Sequence, residues 1–236
     1  MINLTYKIFQ LKAGPPSLQN YMYIIIDNMT SEAAIVDPGW DLNLIKKFFV
    51  KFQVKPSMIL LTHSHYDHVN LVDPLVKEYN SSVYMSRVER DFYNFKSENL
   101  YSFEDLDVLN LGETPIKCIV TPGHTTGSTC YLLEDALFTG DTVFIEGCGL
   151  CDKFGGSPEE MYESFQRLKE IILPHVKVYP GHSYREHPGT SFRDLSRFNI
   201  YILIESKEHF VRFRMRRTKV FSGSDLNMLD QFRFYN

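Results

Sequence analysis

Cysteine is scarce in this chain of 236 residues, with four copies, at positions 118, 130, 148 and 151. That excludes a disulfide-dense scaffold, and the four read as reduced thiols. Cys148 and Cys151 form a C-x-x-C pair, by itself a weak redox signal. No second pair completes a zinc ribbon, so they read as two loop thiols. Long apolar runs are missing too. The longest, such as "YMYIII", fall far short of the ~20 residues that a membrane-spanning helix needs, so no membrane partner is expected. The amino terminus, "MINLTYKIFQLKAG", lacks a basic leader followed by an apolar core, and the expected compartment is the cytoplasm. Charge of one sign is also lacking. Lys and Arg number 25 against 29 Asp and Glu, a net charge of −4. Neither half is acidic or basic as a whole, which argues against nucleic acid as a partner. There is no low-complexity tract and no short repeat.

What the chain does have is a 44% hydrophobic content, enough at this length to bury a core without staples. One domain over 1–236 is expected, with 190–236 as a short carboxyl-terminal extension. "NYMYIIID", "EAAIVDPG", "SMILLT" and "SVYMS" read as strands, and so do "PIKCIVT", "CYLLED", "ALFTGD" and "VKVYPG" further on. Between them, "DLNLIKKFFVKF" places Leu42, Ile45, Phe48 and Phe49 at helical spacing. "VNLVDPLVKEY" reads as a second helix with Pro74 in its first turns. "SRVE" at 86–89 has capping-box spacing and opens a helix toward Asn94. The clearest helix is "SPEEMYESFQRLKEII". Ser157 caps it, Pro158 suits its first position, and Glu160 completes the box. Met161, Phe165, Leu168 and Ile172 form its buried stripe. "SFRDLSRFN" reads as helical. Over 206–217 two patterns compete: Ser206 suits a helix cap, whereas Val211, Phe213 and Met215 alternate with arginines as in a strand. Helix is the preferred reading. Strands and helices mixed through both halves predict an α/β layered domain.

Chemistry-bearing residues follow the apolar runs. After "MILL" comes "THSHYDH", with His63, His65, Asp67 and His68. After "IKCIV" comes "TPGHT" with His124, after "ALF" comes "TGDT" with Asp141, and after "VKVY" comes "PGH" with His182. Sites in α/β folds gather at the carboxyl ends of strands. A lone histidine beside an apolar face is more often packed and hydrogen-bonded, and His175, His187 and His209 are read that way. Three histidines and a carboxylate within six residues do not fit that reading, because they would repel on protonation and pack little. Imidazole with carboxylate suits zinc and related divalent ions. Five His and two Asp are too many for one ion and suit two. Asp37, in "IVDPG", is either a group that orients a ligand histidine or simple turn chemistry.

In their order, "IVDPG", "THSHYDH", "TPGHTTGS", "FTGDTVF" and "YPGHSY" resemble the metallo-β-lactamase superfamily over roughly 20–190. The resemblance implies an αββα sandwich, two mixed β-sheets flanked by helices, with a two-metal site on one edge. It assigns His63, His65 and His124 to one ion and Asp67, His68 and His182 to the other, with Asp141 bridging. It implies two Zn²⁺, with iron or manganese as alternatives, and a shared water of lowered pKa that Asp67 orients as the catalytic residue. "GDTVFIEGCG" and "PGHSY" look like the glyoxalase II branch, which hydrolyses thioesters. That branch continues from G-C-G with a basic residue, whereas Leu150 stands here and cannot donate to a carboxylate. "NIYILIESKEHFVRFRMRR" is more similar to the glyoxalase-like zinc hydrolases encoded with bacterial polyketide synthases. That likeness implies acyl carrier protein, or another small thiol carrier, as the partner that presents the thioester. Tyr184, Arg212 and Arg214 are expected to contact the substrate. The dense basic stretch Arg212, Arg214, Arg216, Arg217 and Lys219 is expected to meet the acidic carrier. Other activities remain open: hydroxyacylglutathione hydrolysis, then persulfide dioxygenation on one iron. A non-catalytic scaffold that binds a carrier is the contrasting class.

Overall fold

The computed structural model describes residues 4–184 and 186–216. Its first sheet holds β1 (Tyr6–Ala13), β2 (Asn20–Asp27), β3 (Ala33–Val36), β4 (Pro56–Leu60), β5 (Ser82–Ser86) and β6 (Leu100–Phe103), in chain order. β1, β2 and β3 pair antiparallel, and β3 through β6 pair parallel. The second sheet runs β12 (Thr190–Ser191), β11 (Lys177–Pro180), β10 (Ala136–Gly140), β9 (Thr129–Leu132), β8 (Thr114–Val120) and β7 (Val108–Leu111). Within it β10 and β11 pair parallel.

The continuous apolar run of β2 follows from its position. Successive side chains of a strand point to opposite faces. Tyr21, Tyr23 and Ile25 enter a cluster shared with Phe138 and Tyr179 of the second sheet, while Met22 and Ile24 enter another that holds Ile45, Phe48 and Phe49. β4 splits likewise, with Met58 and Leu60 inward and Ile59 toward the helices. A strand with both faces covered has no polar positions to spare. The middle cluster glues sheet to sheet, so Phe138→Ala there is expected to cost about 3–5 kcal/mol.

The outer layers are helical. α1 (Leu42–Phe52) starts where Asp41 accepts from Leu44 N at 2.9 Å and ends at Gln53 in the left-handed region. α2 (Tyr66–Val69) and α3 (Val72–Tyr79) follow β4, and α4 (Arg87–Tyr93) is capped by Ser86. Pro74 is the third residue of α3, where no helical N–H is required. On the second sheet lies α5 (Pro158–Ile171), capped by Ser157 and burying Met161, Phe165 and Leu168. α6 (Phe192–Phe198), α7 (Ile200–Leu203) and α8 (Lys207–Arg214) join the α5 cluster through Leu195, Tyr201, Ile202 and Phe210. The result is a helix–sheet–sheet–helix sandwich.

The ambiguity over 206–217 resolves as helix at Lys207–Arg214. Ser206 Oγ accepts from His209 N, and Phe210 is fully buried against α5. Arg217 and Lys219 lie outside the described residues. β1, β6, β7, β12, α2 and α7 were not foreseen. Among the described residues no helix is long and apolar enough to cross a membrane.

Candidate metal centre

Five strand ends build the site. β3 delivers Asp37, β4 the run His63–His68, β8 His124, β10 Asp141 and β11 His182. Among the described residues ligand-type atoms converge in three groups: His63, His65 and His124; Asp67, His68 and His182; and Asp37, His63 and His68, which links the two triads that share no residue. Asp141 stands between them. Its Oδ2 is 3.5 Å from His124 Nε2 and 3.6 Å from His182 Nε2, and its Oδ1 is 3.4 Å from His68 Nε2. Residues up to 119 positions apart thus share one edge of the sandwich. His175, His187 and His209 belong to neither triad.

The back of each ring is held. His68 Nδ1 donates to Asp37 Oδ2 at 2.9 Å, His124 Nδ1 to Leu150 O at 2.6 Å, and His182 Nδ1 to Gln19 O at 2.8 Å. Thr62 Oγ1 donates to Asp37 at 2.6 Å and so accepts from His63 Nδ1 at 3.0 Å. These bonds turn four Nε2 atoms inward, the pattern of metal-ligating histidines. Asp37 is therefore more than a turn residue.

The interior of the site fits cations. His63 Nε2 is buried with no hydrogen-bond partner, and Asp141 Oδ1 is likewise unsatisfied. His124 Nε2 faces His65 Nδ1 at 2.9 Å. With Nδ1 of His124 already a donor, two lone pairs would meet there unless a cation or a proton lay between. Burial first, then the nearby His68 and His124, pushes His63 well below the ordinary imidazole range. Burial and His124 push His65 down to about 4. Neutral imidazoles are what a metal ion requires. The second triad is more acidic in character. Burial alone would lower His68, but Asp141, then Asp37 and Asp67, raise it to about 9. Burial alone would raise Asp67. The His182 hydrogen bond, the charge of His68 and the Asn20 amide outweigh it and hold the carboxyl well below the usual carboxylate range.

Beside the triads opens a cavity of about 400 Å³, lined by Leu18, Phe144, Glu146, Leu150, Tyr184, Tyr201 and Arg214 together with His124, Asp141 and His182. Tyr184 is 75% exposed and packs edge-on to Phe144. Arg214, half-buried, donates to Tyr201 Oη at 2.9 Å. Arg212 is exposed and does not line this cavity; it borders a separate groove. Cys148 and Cys151 are buried free thiols, each pushed up by burial first, Cys151 to about 12.

Residues 15–182 match the description of the Metallo-beta-lactamase superfamily. The chain belongs to that superfamily. It is a hydrolase of this superfamily, and the match runs from just before β2 to the last ligand histidine. It is 49% identical over 218 residues, 92% of this chain and 97% of the relative, to "Probable polyketide biosynthesis zinc-dependent hydrolase PksB" of Bacillus subtilis (strain 168). It is 34% identical over 177 residues to a hydroxyacylglutathione hydrolase of Pseudoalteromonas translucida (strain TAC 125), covering 75% of this chain and 66% of that one. Its fold superposes on a metallo-beta-lactamase from Staphylococcus aureus with a TM-score of 0.81, at 20% identity, over 96% of this chain and 72% of that one.

Two residues of this superfamily site escaped the sequence reading. Asn20, at the start of β2, is buried and donates through Nδ2 to Asp67 Oδ2 at 2.9 Å, while Trp40 Nε1 donates to its Oδ1 at 2.7 Å. Glu89, read only as part of a cap, accepts from Ser64 N and Oγ at 2.8 and 2.7 Å and from Gly127 N at 2.9 Å. It clamps the residue between His63 and His65. A long-range contact is what identifies each of them, and no local pattern marks it.

Proposed function

We propose that the chain is a zinc-dependent thioester hydrolase that removes acyl groups from the phosphopantetheine arm of acyl carrier proteins in polyketide biosynthesis. The observation that carries this reading is the pair of ligand triads, with Asp141 between them, opening onto a mostly apolar cavity that ends at a cation, Arg214. The printed name of the 49% identical relative supports the pathway.

His63, His65 and His124 would hold one ion, and Asp67, His68 and His182 the other, with Asp141 contributing to both. When bound, such ions supply Lewis acidity and a water whose pKa falls toward ~7. The chain's own residues do the rest. Asp67, ionised and fixed by Asn20, orients the attacking water through one oxygen and can take up its proton. Phe144 and Leu150 give the acyl portion an apolar wall. Tyr184 Oη, at the mouth, can donate to an amide of the arm, and Arg214 can pair with an anionic group on the substrate. Departure of a thiolate needs no strong general acid.

Leu150 at the cavity wall offers nothing to a glycine carboxylate, but Arg214 lies in the same cavity, so substrate preference decides between this reading and hydroxyacylglutathione hydrolysis. Initial rates on an acyl carrier protein thioester and on the matching glutathione thioester test the choice. A kcat/KM at least about tenfold higher on the carrier thioester, ~1.4 kcal/mol of preference, is expected. The reverse preference would assign the chain to hydroxyacylglutathione hydrolysis.

A further inference from the structure

The arginines at the end of α8 do not share a face. Arg214 turns into the catalytic cavity, whereas Arg212 and Arg216, with His209, border a separate groove of about 390 Å³. His209, Arg212 and Phe213 share one face of α8 by their three-and-four spacing, and Arg216 follows just past the helix end. The floor of the groove is apolar, formed by Ile200, Ile204 and Phe213, and Ile200 is 44% exposed. The Arg216 guanidinium lies 3.6 Å from the centroid of the Phe213 ring, which holds that charge at the rim. Of the acidic residues at the start of α8 and opposite it, two are committed elsewhere, while Glu205, beside Ile204, is exposed. Glu163 pairs with Lys207 at 2.9 Å, and Glu208 accepts from Ser206. The groove is thus a local basic rim on a chain whose net charge is −4.

We propose that this groove docks an acidic amphipathic helix of the protein that delivers the substrate on its thiol arm. The inference rests on the thioesterase reading above and adds where the carrier sits. Carboxylates along such a helix meet Arg212 and Arg216, and its apolar stripe covers Ile200, Ile204 and Phe213. Position supports the match. Tyr201 of α7 and Arg214 of α8 line the catalytic cavity, while neighbouring residues of the same two helices line the groove. Cavity and groove therefore stand about one helix diameter apart, ~10 Å, within reach of an extended arm. A small free thioester would gain nothing from this groove.

The test uses the full chain and its Arg212→Glu/Arg216→Glu variant. The probe is a fluorescently labelled acyl carrier protein bearing its phosphopantetheine arm without an acyl group, titrated by anisotropy at low and high salt. Binding that weakens with salt and a Kd at least about tenfold higher in the variant are expected. Turnover of an acyl-pantetheine thioester, which has no carrier, should stay within about twofold of wild type, with an unchanged circular dichroism spectrum. Arg216→Ala, a milder change, should move the Kd in the same direction. Equal Kd values, absence of carrier binding by the wild type, or equal loss on carrier and pantetheine thioesters would overturn the docking site. A wild type that binds the carrier through this groove yet hydrolyses neither thioester would keep the docking site and reject the reaction.

Discussion

Asp37 Oδ2 lies 2.9 Å from Nδ1 of His68. The same oxygen accepts from Thr62 Oγ1, which in turn faces His63 Nδ1. One carboxylate therefore orients a histidine in each ligand triad. Its backbone sits at φ +50°, a conformation that Asp and Asn tolerate better than other residues with a side chain. Asp37→Asn should thus keep the turn while losing the charge that fixes both rings. Zinc affinity is expected to fall by roughly 10–100-fold, read by competition with a chromophoric chelator, with the apoprotein folded as in wild type. Wild-type affinity in this variant would mean that Asp37 serves the turn alone.

Metal loading should release protons. In the metal-free protein His68 is raised to about 9, so at pH 7 it carries a proton that a bound ion must displace. Zinc affinity should climb with pH through the neutral range and level off near that value. Calorimetric titrations in buffers of different ionisation enthalpy report the proton count. The sign for stability runs the other way. A histidine raised above its unfolded value of ~6.5 stabilises the apoprotein fully below that pH, and the contribution is lost as pH rises through about 9. Proton uptake on metal binding would contradict this.

Asn20 joins β2 to the carboxylate of Asp67, and Trp40 holds it in place. Asn20→Ala removes a hydrogen bond to a charged group, a loss of about 1.5–3 kcal/mol. If that bond positions Asp67 for the reaction, kcat/KM falls roughly 10–100-fold, with metal content unchanged by mass spectrometry. Trp40→Phe should act in the same direction and more weakly. Loss of metal in parallel with rate would recast Asn20 as a support for the ion alone.

Gly181 precedes His182 where the chain passes beneath the site. A Cβ there would lie 2.6 Å from both Asp141 Oδ1 and His68 Cε1, closer than packed atoms allow. Gly181→Ala is expected to push Asp141 away from its place between the triads and to lower metal occupancy, measured after dialysis against zinc. Full occupancy would show that the chain relaxes around the methyl group.

His63, His124, Asp141 and His182 were legible as candidate ligands because each follows an apolar run and then a glycine or threonine at a strand end. The layered fold was legible too, since β2 and β4 carry apolar runs, Tyr21–Ile26 and Met58–Leu60, and α1 and α5 carry their stripes and caps openly. Short strands such as "LYSF" and "VLNL" gave no comparable signal. Asn20 and Glu89 were hidden because their partners lie 47 and 25 positions away. The arginines misled for a geometric reason. Residues two apart on a helix differ by roughly 200° in direction, so Arg212 and Arg214 serve opposite sides although the sequence crowds them together.

Metal stoichiometry of the full chain, purified without chelator and read by plasma mass spectrometry, tests the shared two-ion site most directly. Two ions per chain are expected in the wild type, and fewer in His63→Ala and in His182→Ala, each of which strips one triad. One ion or none in a fully active wild type, or an undiminished count in both variants, would contradict it.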